Sequence, residues 1–364
     1  MDGPQRIAAL RPPIALCLSG GGARGAGQAG AVVALVEAGL RPDLIVGTSI
    51  GAWNGAWIAA HPDVDGVRRL HDWWTDAEVR RVFRGMWLGY AGAIAWRRSA
   101  ALSAERVDRL LDRLLADMRT FESLRLPLAV CAVDLLTADL VYLDSGPLAP
   151  ALRATSAIPT VLPPVPLGDR LFIDGGVVDN FGLGEAIRRG ARSIVLVDAG
   201  SALAEGPPVR LGEVLDRSAM VTQVHHRRHS LAQAADAGVP VHLVEIGGRF
   251  PVLDFRRPEA MLAAGADTAQ AWLRGDPPPS PAPLAPEERR RLVDRWRELE
   301  GVLRERVAGL PLWRRFGPGA VNGATPRAGL AELDDDTLEL ADLSDLAEAP
   351  GPGTPSGSVD DASR

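Results

Sequence analysis

The stretch VGTSIGAWNG, residues 46–55, carries Gly47, Ser49 and Gly51 in the spacing G-x-S-x-G. It opens on the last residue of the apolar run LIV and continues into AWNGAWIAA, which stops short of Pro62. An apolar run, a glycine-bracketed turn and a second apolar stretch read as strand, sharp turn and helix. A serine in such a turn projects above a sheet edge, and the helix behind it turns its positive end toward any oxyanion formed there. A serine hydroxyl is a poor nucleophile at neutral pH, so a base has to stand within hydrogen-bond reach. The chain has six histidines, and none lies near Ser49 in sequence.

The same unit stands just upstream. IALCLS at 14–19 is a short apolar run that stops at glycines, and AGQAGAVVALVEAGL then has the apolar spacing of a helix ending near Gly39. Further buried strands are predicted at LPLAVCAVDL (126–135), LVYL (140–143), RLFIDG (170–175), SIVLVDAG (193–200) and VPVHLVEIG (239–247). Alternation of such runs with helices predicts an α/β protein whose sheet is covered on both faces.

The loop between the first strand and helix, SGGGARG at 19–25, fits G-x-G-x-x-G at Gly20, Gly22 and Gly25. One reading is a dinucleotide site, with Asp43 about twenty residues on as the ribose ligand. Against it, Asp43 precedes its strand, whereas the acid of that motif ends one. The other reading is an oxyanion hole built from the amides of Gly20, Gly21, Gly22, Ala23, Arg24 and Gly25, facing one crevice with Ser49.

For the base, Asp174 in LFIDGGVVDNFG ends an apolar run and is followed by Gly175 and Gly176, which let the chain turn away without covering it. An Asp-Gly turn is the plain alternative. Asp179 falls in the following loop, and Asp198 in LVDAG has no matching elbow. A Ser-Asp-His triad would need His225, His226, His229 or His242. The first three cluster in QVHHRRHS beside arginines, where positive charge disfavours a proton acceptor, and His242 sits within a predicted strand. No carboxylate or cysteine flanks the cluster at metal-ligand spacing, so no metal is expected.

The 364 residues, 46% hydrophobic, are enough for one large or two modest domains with a sizeable core. Cys17 and Cys131 lie in apolar runs and read as buried small hydrophobes. Net charge is −6, yet residues 331–364 hold ten acids and one arginine, leaving the rest slightly positive; nothing here points to nucleic acid. All forty basic residues are arginine, which reads as codon usage. The apolar stretch in MDGPQRIAALRPP is too short for a signal peptide, and no later run is long enough to span a membrane. A cytoplasmic location is expected.

The predicted organisation is an N-terminal extension at 1–12, a catalytic domain at 13–275, a proline-rich linker at 276–288, a helix at 289–316 and an acidic, disordered tail at 317–364. Within the domain, 62–124 is a helical insertion holding Trp73, Trp74, Trp87 and Trp96 among many arginines. Tryptophans buried in an ordinary insertion are one reading. A lid or acyl-chain pocket touching the inner membrane surface is the other.

Four stretches in order, GGGARG (20–25), GTSIG (47–51), ATSAIP (154–159) and DGG (174–176), make the chain resemble the bacterial patatin-like phospholipases over residues 12–275. The resemblance implies a three-layer α/β/α sandwich with a mainly parallel sheet. It also implies a Ser49–Asp174 dyad in which the aspartate activates the serine directly. The amides around Gly21, Gly22 and Ala23 would hold the oxyanion, Arg24 would order that loop or meet a lipid phosphate, and ATSAIP would wall the pocket. The activity it implies is that of a lipid acyl hydrolase of the phospholipase A, lysophospholipase or carboxylesterase type, forming an acyl-enzyme on Ser49 and needing no cofactor. A nucleotide-binding oxidoreductase and a Ser-Asp-His hydrolase remain the alternatives.

Overall fold

The computed structural model describes residues 3–77, 79, 104–115, 118–159, 161–200, 211–246, 250, 252, 255–276 and isolated positions between 287 and 297. The chain divides at Arg295 into two units, and only Arg297 of the second is described. The predicted helix at 289–316 and the tail therefore lie almost wholly outside the described residues.

In chain order the first unit contains α1 (Gly3–Ala8), β1 (Ile14–Leu18), α2 (Gly25–Glu37), β2 (Leu44–Thr48), α3 (Ile50–Ala60), α4 (Val64–Thr75) and α5 (Ala104–Leu115). It continues with β3 (Leu128–Asp134), β4 (Leu140–Leu143), α6 (Leu148–Thr155), β5 (Val165–Leu167) and β6 (Arg170–Asp174). Last come α7 (Leu183–Arg188), β7 (Ser193–Asp198), α8 (Leu211–Asp236), β8 (Val241–Glu245) and α9 (Pro258–Arg274). The strands form one sheet in which β3, β2, β1, β7 and β8 run parallel, while β4 and β6 pair antiparallel with β3 and β5 pairs antiparallel with β6.

Strand alternation sends side chains to two cores. Leu16 and Leu18 of β1, Ile45 of β2, Val130 of β3 and Val195 and Val197 of β7 enter a core with α2, α3, α4, α5 and α9. Ala15, Cys17, Leu44, Val46, Ala129, Ile194 and Leu196 enter the opposite core with α7 and Leu231 of α8. This is the three-layer α/β/α arrangement, and it explains why the parallel strands read as unbroken apolar runs. Both cysteines are free and buried.

The 62–124 insertion contributes α4 and α5 to the first core, through Val67, Leu70, Trp74, Leu110, Leu111 and Leu114. Trp74 is buried, and its indole N–H donates to Asn54 Oδ1 at 3.0 Å. Trp87 and Trp96 fall outside the described residues. Among the described residues no helix is long and apolar enough to cross a membrane.

The open end of the sheet is tied to α8 by one cation. Arg227 Nη1 lies 2.8 Å from Asp198 Oδ2 at the end of β7 and 2.7 Å from Glu245 Oε1 at the end of β8. Both carboxylates are buried, so removing the cation leaves charge in a poorly solvated place. We expect Arg227→Met to lower folding stability by about 3–5 kcal/mol, read as a fall in the midpoint of urea unfolding with an unchanged slope.

Candidate active site

The site originates in the hydrogen-bond register of β3. Val130 and Cys131 pair with Gly47 and Thr48 of β2 and also with Leu143 and Tyr142 of β4, which puts β2 and β4 on opposite edges. Ala132 and Val133 pair with β4 and with Asp174 and Ile173 of β6, so β6 shares the edge that β2 has just left. The two strands approach from opposite directions and stop against each other. Thr48 and Asp174 thus occupy successive positions along that edge, one residue rise of about 3.3 Å apart, and Ser49 is the next residue after Thr48.

Ser49 has φ 54° and ψ −126°, a conformation costly for a residue with a side chain, in which the chain doubles back from β2 into α3. The flanking glycines are required by close approach. A Cβ on Gly51 would stand 2.2 Å from the Leu18 carbonyl oxygen, and one on Gly47 would stand 2.6 Å from Ala52 Cα. The Ser49 amide donates to Thr155 Oγ1 at 2.7 Å, with Thr155 fully buried. Thr155 belongs to ATSAIP, and the next residues of that stretch also work on the site. Ser156 Oγ accepts from Trp53 Nε1 at 2.7 Å, and the Ala157 carbonyl accepts the Asp174 amide at 3.1 Å. A stretch read as a pocket wall therefore holds the backbone of both Ser49 and Asp174.

The Ser49 side chain stands near enough to the Asp174 carboxylate to favour its charged form, and Asp174 Oδ1 accepts the Gly176 amide at 2.8 Å. Burial pushes the Asp174 carboxyl up to about 6, and those two neighbours limit the rise. Near neutral pH the group is therefore mostly ionised yet basic enough to take a proton.

The glycine loop packs directly on this pair, since a Cβ on Gly20 would lie 3.1 Å from Ser49 Cβ. Four of the six amides expected to form the oxyanion hole are engaged elsewhere. Gly20 donates to Asn180 Oδ1 (2.9 Å), Ala23 to the Val252 carbonyl (2.7 Å), Arg24 to the Gly21 carbonyl (3.2 Å), and Gly25 to the carbonyls of Ala23 and Gly22 within the turn. Among the described residues, no partner is recorded for the amides of Gly21 and Gly22. Arg24 is buried and donates to the carbonyls of Gly21 and Gly200, which fixes the loop's path.

Sequence reading passed over Asn180. Its amide meets both the N–H and the carbonyl of Gly20, at 2.9 and 3.3 Å, and joins the glycine loop to the segment after Asp174. Only its place six residues after Asp174 could have drawn notice.

The rival acids have structural work. Asp179 accepts from the Phe181 and Gly182 amides and from the Tyr142 hydroxyl, the last at 2.6 Å. Asp198 accepts from Ser19 Oγ and the Gly200 amide and pairs with Arg227. Asp43 Oδ2 accepts the Ile14 amide at 2.7 Å, at the start of β1 and so at the opposite end of that strand from the glycine loop, where it could not reach a ribose. His225, His226 and His229 lie on α8, and His242 packs edge-on against Trp272. Among the described residues none of them is recorded as a partner of Ser49 or Asp174, and no group of His, Cys, Asp and Glu is placed to hold a metal.

Residues 16–187 match the family model described as patatin-like phospholipase, a span that contains both Ser49 and Asp174. The chain is 30% identical over 189 residues to a putative patatin-like phospholipase domain-containing protein of Caenorhabditis elegans, covering 51% of this chain and 17% of that protein. It is 32% identical over 170 residues to an uncharacterized NTE family protein of Mycobacterium bovis, covering 46% of this chain and 44% of that protein. The matched stretch thus spans less than half the length of either relative. Among solved structures it is similar to VipD from Legionella pneumophila, with 15% identity, a TM-score of 0.43 and coverage of 73% of this chain and 68% of that one.

The raised carboxyl of Asp174 has a consequence for stability. Its pKa is about 6 folded against 3.8 in a free chain, so the stability contribution of the protonated form is complete below pH 3.8 and is lost as pH rises through 6. A gap of that size corresponds to about 3 kcal/mol. Asp174→Asn, which cannot ionise, should therefore melt close to the parent at pH 4 and several degrees above it at pH 8, measured by calorimetry at both pH values.

Proposed function

We propose that the chain, whose residues 16–187 match the patatin-like phospholipase family model, is a serine hydrolase that cleaves lipid acyl esters through a Ser49–Asp174 dyad. The observation that carries this reading is the register that ends β2 and β6 against each other, which brings the buried Ser49 and the buried Asp174 to one point beneath the glycine loop.

The chemistry follows from the groups already placed. Asp174 accepts the Ser49 proton as Ser49 Oγ attacks the ester carbonyl carbon, and the carbonyl oxygen takes the negative charge. The Gly21 and Gly22 amides, with the N-terminus of α3 behind Ser49, are the donors suited to that oxyanion. When the intermediate collapses, the carbon–oxygen bond to the alcohol breaks, the protonated Asp174 returns its proton to the leaving oxygen, and the acyl group stays on Ser49. Water enters, gives its proton to Asp174 and attacks the acyl carbon, releasing a fatty acid and regenerating the hydroxyl. The carboxylate takes and returns one proton in each half-reaction, so the cycle is complete without an imidazole.

Thr155 and Asn180 act as positioning residues in this scheme, the first on the Ser49 backbone and the second on Gly20. A cytoplasmic setting suits the reading. The domain boundaries we assign are 13–275 for the catalytic part, with 276–288, 289–316 and 317–364 following it.

Ser49→Ala and Asp174→Asn should each reduce hydrolysis of a p-nitrophenyl ester at least about a thousandfold while leaving the circular dichroism spectrum unchanged. A fluorophosphonate should label the parent and not Ser49→Ala. Because the base must be ionised, kcat/KM should rise with pH to half its plateau near 6. Activity in Ser49→Ala, or a half-rise well above pH 7, would reject the dyad.

A further inference from the structure

Helix α8 turns one face to the glycine loop, to Gly176 and to the ends of β7 and β8. Arg24 Nη2 of the glycine loop approaches Met220 Sδ at 3.9 Å, Gln223 Nε2 donates to the Gly176 carbonyl at 2.6 Å, and Arg227 binds Asp198 and Glu245. The face that points away is unusual for a solvated helix. Val214 and Val221 are 37% and 54% exposed and lie seven residues apart, two turns along one side. Exposed His225 and Arg228 continue that side at four and seven residues beyond Val221, with exposed His229 next to them. From residue 217 to 235 the helix carries no carboxylate, and of its three arginines Arg227 is the one turned inward to Asp198 and Glu245.

A second exposed apolar pair stands beside this helix. Val177 and Val178, 45% and 41% exposed, follow directly on Gly176, the residue whose carbonyl Gln223 holds. Exposed valines beside Arg217 and Arg228, with no carboxylate between them on the helix, suit one surface above others. The valines enter the acyl boundary and the arginines meet phosphates. We propose that the outward face of α8, together with Val177 and Val178, docks the protein on an anionic phospholipid surface and so brings the mouth of the site to its substrate. This is a different place from the 62–124 insertion that the sequence suggested. Its purpose rests on the lipid-ester reading, but its test does not.

Full-length Ser49→Ala protein, which leaves lipid intact under that reading, is mixed with phosphatidylcholine vesicles with or without phosphatidylglycerol and sedimented. Binding should require phosphatidylglycerol and weaken as salt is raised. Adding Val221→Asp and Arg228→Glu should weaken it about tenfold or more. With Ser49 restored, the same two substitutions should leave hydrolysis of a soluble short-chain ester unchanged, because neither residue contacts the dyad or the glycine loop. Equal binding to both vesicle types, or undiminished binding by the variant, would overturn the proposal. Binding to poly-glutamate but not to vesicles would overturn it in favour of an acidic protein partner. Loss of soluble-ester hydrolysis in the parent would count against the catalytic reading and leave the docking result standing.

Discussion

Along one edge of β3, Cys131 pairs with Thr48 and the next residue, Ala132, pairs with Asp174. Two strand ends arriving from opposite directions are thereby stopped against each other by backbone hydrogen bonds, and the contact between Ser49 and Asp174 follows from that register. The side chains need no long loop to bring them together. A slip of one residue in β6 would turn Asp174 to the other face of the sheet. Antiparallel β4 holds the far edge of β3 over the same residues, so the register is fixed from both sides.

The glycine loop is held from beneath by buried amides. Gln28 Nε2 donates to the carbonyls of Ser19 and Val197, Asn54 Nδ2 donates to the Gly25 carbonyl and to Gln28 Oε1, and Trp74 Nε1 donates to Asn54 Oδ1. Each of these groups is buried and each bond is made, so the network fixes one arrangement of the loop without leaving the unpaired polar groups that would destabilise it. The loop's upper side is free to present the Gly21 and Gly22 amides because Asn180, Val252 and Gly200 hold the residues around them.

The parallel strands were legible because burial on both faces writes them as apolar runs; LVYL at 140–143 coincides with β4 residue for residue, but it is not the buried strand expected, since it lies off the main run of the sheet and none of its residues is buried. The neighbourhood of Ser49 and Asp174 was legible because both lie at turns where glycine is obligatory. Strand β5 was not, since Val-Pro-Leu does not look like a strand until an antiparallel partner supplies the pairing. Thr155 and Asn180 were hidden for another reason. Their work is to meet a backbone atom more than a hundred residues away, and no local pattern announces such a partner. The loop's amides were assigned as a set because sequence shows the glycines but not which N–H groups the fold has already engaged.

The insertion at 62–124 is joined to the site through its first helix. Trp74 of α4 ends the chain of amide bonds that begins at the Ser19 carbonyl, and it stacks on Phe255 at a ring separation of 6.4 Å. At the other end of the insertion, Asp108 of α5 meets Arg153 of α6 at 3.2 Å, two residues before the Thr155 that holds the Ser49 amide. The two described helices of the insertion thus meet different parts of the surroundings of Ser49, α4 the amide network under the glycine loop and α5 the helix that carries Thr155. Trp74 is a buried member of the network under the glycine loop, whereas Asp108 makes a half-exposed ion pair of small energetic weight. The insertion's anchoring helices are part of the scaffold that surrounds Ser49 and Asp174.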